Sequence, residues 1–184
     1  MSTYIALLRG VNVGGNTLKM ERIRELWNDL GFKNVRTYVQ SGNVVFEAKG
    51  PPSTWSRRIE QALAGEARLP VTVVIRAAAD LAKVIAGNPF LKQKDIDRTK
   101  LHVTFLGGPG LSNAAKKDAV KKLIAIEAGA DEFRILGNEI YLHCPDGYGN
   151  TKLSNNRLEK ALSLKATTRN WKTVNKLHEM ATGP

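Results

Sequence analysis

The spacing of hydrophobic positions changes several times along the chain, and each change marks an element. Thr3–Arg9 is a short run of apolar and β-prone residues closed by Gly10, and it reads as a strand. After a Gly/Asn-rich loop, Met20, Ile23, Trp27 and Leu30 recur at helical spacing, with Leu26 beside them and Gly31 as the stop. Val35–Val39 and Val44–Glu47 read as strands joined by a tight two-residue turn at Ser41-Gly42. Pro51-Pro52-Ser53 breaks the chain, and Trp55, Ile59 and Leu63 then line one face of a second helix. Val71–Arg76 completes the half as a strand. The order β-α-β-β-α-β is the split βαβ, or ferredoxin-like, arrangement.

The second half repeats this plan. Leu101–Leu106 is a strand closed by Gly107, and Ala115, Ala119, Leu123 and Ile126 mark a helix. Phe133–Leu136 and Glu139–His143 are strands around Gly137-Asn138, and Asn155–Leu162 is a helix. Gly42-Asn43 precedes Phe46 as Gly137-Asn138 precedes Tyr141, an offset of 95 residues. The fold class expected is therefore α+β, with two similar ferredoxin-like subdomains from an internal duplication. The pattern predicts no final strand in the second copy; an extra C-terminal helix over about 170–181 stands in its place. Residues 1–88 form the first subdomain and 98–184 the second, with Gly87–Lys100, rich in charge and containing Asn88-Pro89, as the connection.

Composition changes this picture in one respect. The 184 residues are 42% hydrophobic and 24% charged, ordinary for a globular protein, and a chain of this length needs no disulfide or metal to fold. No apolar stretch approaches the ~20 residues of a membrane helix, and Ile5–Leu8 is too short for a signal-peptide core. The lone Cys144 fits a reducing compartment, so a cytoplasmic location is expected. The unusual number is a net charge of +11, of which +5 lies in the last fifth of the chain. A field of that sign attracts phosphates and polyanions, although it also serves solubility.

Three segments carry distinctive residues: Arg9-Gly10-Val11-Asn12-Val13-Gly14-Gly15, Thr37-Tyr38-Val39-Gln40-Ser41-Gly42-Asn43, and Ala166-Thr167-Thr168-Arg169-Asn170-Trp171-Lys172-Thr173-Val174. Together, and in this order, they resemble the bacterial family of unknown function DUF1697 over essentially the whole chain. The resemblance implies two similar α+β subdomains and no assigned activity. Where that family tends to show Gly-x-Gly-x-Ser-Lys-Leu, this chain has Gly147-Tyr148-Gly149-Asn150-Thr151-Lys152-Leu153, in which Thr keeps the hydroxyl.

Each segment has a plain structural reading beside a functional one. Gly10, Gly14 and Gly15 could let backbone N–H groups converge before a helix N-terminus, with Asn12 inside the loop and Arg9 and Lys19 flanking it. They could equally only turn a corner, and neither Gly-x4-Gly-Lys-Ser/Thr nor Gly-x-Gly-x-x-Gly is present. Gln40, Ser41 and Asn43 could orient a polar ligand at a hairpin tip or simply build the turn. Lys152, Thr168, Arg169, Asn170 and Lys172 combine cations with hydrogen-bonding groups, and the Arg fork suits phosphate or carboxylate. Against this, Thr168 or Asn170 could cap the last helix, and Trp171, Val174 and Leu177 have the spacing of a buried stripe.

His102, His143 and His178 have no Glu or Cys at metal spacing, no acid–base pair stands out, and no cofactor or metal is expected. Cys144 and His143 are adjacent in a strand and point to opposite faces, which makes a poor nucleophile–base pair. The RNA-recognition signature is absent: Ser41–Phe46 lacks its aromatics. The expectation is an anion-binding protein whose partner is nucleic acid or a phosphorylated small molecule, held in a basic cleft between the subdomains, with no membrane partner. The alternative is a small enzyme acting on a phosphorylated or carboxylated metabolite by positioning and electrostatics. A third reading is an oligomerisation module.

Overall fold

A computed structural model describes residues 1–11, 18–39, 42–66, 70–108 and 110–183. The first half runs β1 (Ser2–Arg9), α1 (Met20–Asp29), β2 (Lys33–Tyr38), β3 (Asn43–Ala48), α2 (Ser53–Ala64), β4 (Thr72–Ala77) and α3 (Ala78–Ala86). Two 3-10 turns, Pro89–Lys92 and Arg98–Lys100, lead to β5 (Leu101–Leu106), α4 (Asn113–Ile124), β6 (Glu132–Leu136), β7 (Glu139–His143), α5 (Asn155–Leu162), β8 (Ala166–Asn170) and α6 (Trp171–Thr182). The strands form two four-stranded antiparallel sheets, ordered β2-β3-β1-β4 and β6-β7-β5-β8. The chain divides into two units, Met1–Lys83 with Lys176–Pro184, and Val84–Asn175.

Two expectations are corrected, and one helix appears that the pattern did not predict. The second copy does have its last strand: β8 pairs with β5 from His102↔Asn170 to Leu106↔Ala166. Its sequence, Ala-Thr-Thr-Arg-Asn, carries threonine, arginine and asparagine where the equivalent edge strand β4 carries Val73, Val74 and Ile75, so it shows no apolar run. The first hairpin is not a two-residue turn. Tyr38 pairs with Asn43, which leaves a four-residue loop, and Val39 takes φ +47°, uncommon for a β-branched residue. Finally, α3 follows β4 without a breaker, which hides it in the pattern; Leu81 and Val84 on it are buried.

The aromatic content of the first half collects in its core. Helix α1 buries Ile23, Leu26 and Trp27, each worth roughly 1.5–3 kcal/mol on full burial. Trp27, Phe32, Phe46, Trp55 and Tyr4 meet in edge-to-face and tilted contacts, with Tyr4–Trp55 centroids 4.9 Å apart and Phe32–Phe46 centroids 4.7 Å apart. The second core is aliphatic: Leu106, Leu123, Ile140, Leu142, Leu153 and Leu158, with Cys144 among them. Both faces of each sheet are closed to solvent at their centres, since Ile5, Leu7, Val45 and Val74, and Leu101, Val103, Phe105 and Tyr141, are buried as well. Neither centre offers an open platform on which bases could stack.

Candidate functional site

Strand alternation sorts the β8 residues before any contact is considered. Thr168 and Asn170 share a face with Thr104 and His102, their direct partners in β5, while Thr167 and Arg169 point to the other face. On the first face the Thr104 and Thr168 hydroxyls lie 2.7 Å apart, and Thr168 Oγ1 donates to Asn155 Oδ1 at 3.0 Å. A hydroxyl has one proton, so Thr104 is the donor to Thr168. Asn155 Nδ2 donates to the Ala166 carbonyl at 3.0 Å, and the Asn155 backbone N–H donates to the Tyr148 hydroxyl at 3.0 Å. The Tyr148 ring stacks on His102 at 4.7 Å and 25°. His102 Nδ1 lies 3.3 Å from the Lys100 carbonyl, and burial holds its pKa below the ordinary histidine value, so the ring is neutral at pH 7. Five side chains from three elements (β5, β8 and α5) and the loop before α5 are thus joined in one polar network.

Arg169 is the charged neighbour of this network. Its Nη1 donates to Thr167 Oγ1 at 2.7 Å and to the Thr168 carbonyl at 2.9 Å. Burial of the guanidinium pulls its pKa down to about 10, with Tyr148 acting in the opposite direction, and it remains protonated at neutral pH. The next residue, Asn170, caps α6: its Oδ1 accepts from the Thr173 N–H at 2.8 Å. Lys172 is exposed in the first turn of α6. A half-buried guanidinium, a capped helix N-terminus and an exposed ammonium therefore lie within four consecutive residues. Trp171 is not a stacking platform, because it is buried with Val174 and Leu177 along the core side of α6.

The other residues marked in the sequence are placed differently. Lys152 Nζ donates to the Glu127 carbonyl at 3.2 Å on the surface. Next to it, the Thr151 hydroxyl bonds Asp131 and accepts from the Leu153 N–H, so it shapes the loop. In the first half, Asn43 is fully buried with its amide on the Tyr38 carbonyl at 3.1 Å. The end of β1 and the hairpin are brought side by side: Leu8 N–H donates to the Gly42 carbonyl at 2.7 Å, and a Cβ on Gly42 would lie 2.5 Å from Val11 Cγ2. Gly10, at φ +94°, could not take a side chain either, since its Cβ would meet the Pro70 carbonyl oxygen at 2.7 Å. Arg9 is half-buried and Lys19, just before α1, is exposed. Asn12, Gly14, Gly15, Gln40 and Ser41 lie outside the described residues.

Thr104 and Asn155 carry no functional mark in the sequence, Tyr148 stands there only within the 147–153 run, and His102 only as a histidine without metal spacing. Each looks ordinary alone; only β5–β8 pairing and the return of the 147–153 loop make them neighbours. The one available signal was Tyr148 between two glycines. Among the described residues no group of three His, Cys, Asp or Glu could hold a metal. Burial pushes the Cys144 thiol up to about 11, which makes it a poor nucleophile. His143 Nδ1 lies 3.4 Å from Glu132 Oε1, an ion pair only when the ring is protonated. Among the described residues, no helix is long and apolar enough to cross a membrane.

The family model for proteins of unknown function DUF1697 matches residues 1–141. The chain belongs to the DUF1697 family. A similar solved structure is that of the conserved bacterial protein SP0830 from Streptococcus pneumoniae, with a TM-score of 0.77 at 20% identity over 98% of this chain and 99% of that one. At that identity the likeness is one of fold. No curated protein matches the chain. The matched residues run from β1 into β7, so α5, α6 and β8, the strand that carries Arg169, lie beyond them.

Proposed function

We propose that this DUF1697 protein is a cytoplasmic anion-binding protein that takes a phosphate group, on nucleic acid or on a small phosphorylated compound, at the β8–α6 junction. Each half would then be a split βαβ unit serving as a frame, in keeping with the βαββαβ order of its elements. The observation that carries the reading is Arg169. A guanidinium held partly out of water costs stability, and an incoming anion offsets that cost. The N-terminal amides of α6 add a favourable dipole, and Lys172 adds a second cation. The net charge of +11 speeds encounter with such ligands.

The test is binding of a short DNA duplex as salt is raised. Engagement of ~5 phosphates gives a log–log slope of about −4.5, and Arg169→Gln with Lys172→Ala makes the slope shallower by about 1.8. A slope near zero in the intact protein removes nucleic acid. A thermal-shift series with phosphate, nucleotides and sugar phosphates then finds a small ligand; stabilisation at 100 times Kd is about 2.7 kcal/mol. No response to any of these overturns the reading.

A further inference from the structure

The β6–β7 hairpin turns through Gly137-Asn138, with Leu136 directly opposite Glu139. A two-residue turn makes that flanking pair hydrogen-bonded, and the pairs alternate from there. Leu136, Arg134 and Glu132 therefore direct their N–H and C=O groups to β7, while Phe133 and Ile135 direct theirs outward. Strand β6 is the edge of its sheet, so among the described residues the outward groups have no strand beside them. The outward Phe133 carbonyl accepts from Arg134 Nη1 at 2.8 Å. The Arg134 guanidinium also sits 5.5 Å over the Phe90 ring and 3.4 Å from Glu132 Oε2.

Alongside this edge runs an apolar groove of about 510 Å³, lined by Val120 and Ile124 of α4 and by Phe133 and Ile135 of β6. Val120 and Ile124 are 36% and 64% exposed; Leu136, on the opposite face of β6 and outside the groove, is 45% exposed. The only other large hydrophobics so exposed among the described residues are Met1 and Val39. An unpaired edge beside an uncovered apolar strip is a feature that soluble proteins normally protect.

We propose that this edge pairs with the same edge of a second copy, making one eight-stranded antiparallel sheet across a two-fold axis. The argument is charge complementarity. With the axis at Phe133, the two Phe133 residues exchange their outward N–H···O=C bonds, and Glu132 of each copy stands directly opposite Arg134 of the other. Each Arg134 leaves the Phe133 carbonyl and the 3.4 Å intrachain contact for that cross-strand carboxylate. Such opposite-charge pairs stabilise a sheet, and here the symmetry supplies two. An axis perpendicular to the sheet keeps both α4 helices on one side, so Val120 and Ile124 of the two copies cover each other.

Sedimentation equilibrium of the full chain tests this. The expected mass is twice 20.2 kDa. Arg134→Glu, which sets four carboxylates together at the axis, is expected to weaken dimerisation at least tenfold, and Glu132→Arg with Arg134→Glu to restore it by exchanging the charges. Ile124→Asp, on an exposed position, is expected to give monomer with an unchanged circular dichroism spectrum. A monomer at every concentration, as when the edge awaits a strand of another protein, overturns the proposal. So does a dimer that neither substitution weakens, or a charge exchange that fails to restore it.

Discussion

Strand register aligns the two halves residue by residue. Ala6 faces Ile75 in the first sheet where Thr104 faces Thr168 in the second, and Val73 corresponds to Ala166. The first pair lies in an aromatic, dry core; the second is hydroxyl to hydroxyl and continues through Asn155 to Tyr148. Other features are shared: Glu60 Oε1 of α2 accepts from the Val73 N–H at 2.9 Å, and Glu159 Oε1 of α5 accepts from the Ala166 N–H at 2.8 Å. The helix-to-strand tie is thus kept in both copies, while the packing beside it differs. Apolar surface suffices to build the frame in the first copy, whereas the second builds the same position from hydrogen-bonded polar side chains.

The largest way to test that contrast is to hollow the dry core. Trp27→Ala should cost about 3–5 kcal/mol in chemical denaturation, since it leaves a cavity among Ile23, Phe46 and their neighbours. Next come the shared ties. Glu60→Ala and Glu159→Ala should each cost about 1.5–3 kcal/mol and by similar amounts, because each removes a charged acceptor from a strand N–H. A large inequality would show that the two halves are less alike than their register. Thr168→Val removes the hydroxyl between Thr104 and Asn155 and should cost about 1–2 kcal/mol. Adding Thr104→Val should cost less than a second independent loss, because the pair acts as one unit.

The smallest effect has the opposite sign. The pKa of Arg169 is lower in the folded protein than in the unfolded chain, so its charge opposes folding below about pH 10, and that penalty fades as pH rises toward the ordinary arginine value. Arg169→Gln is therefore expected to raise Tm at pH 7 by about 2–4 °C, roughly 1 kcal/mol, while weakening phosphate binding. A fall in Tm would mean that the guanidinium stabilises the junction rather than straining it.

What could be read in the sequence follows from which residues carry strong local signals. Leu101–Leu106 was legible to the residue because Gly107 punctuates an apolar, β-prone run, and Asn155–Leu162 was read with the same bounds. Strand β8 was not, because an edge strand of threonine, arginine and asparagine has no apolar alternation to show. The stripe of Trp171, Val174 and Leu177 was legible, and of the two caps that the sequence offered, Thr168 and Asn170, it is Asn170 that accepts from the Thr173 N–H. The half-burial of Arg169 and the Thr104–Thr168 contact were not, since they depend on two strands 64 residues apart meeting in one register.

Titration of isotope-labelled protein with inorganic phosphate, followed amide by amide, addresses the binding claim most directly. Saturable shifts at Arg169 and at the first turn of α6 are expected, absent from the Arg169→Gln, Lys172→Ala variant. Shifts confined to the first half, or none at millimolar phosphate, would contradict it.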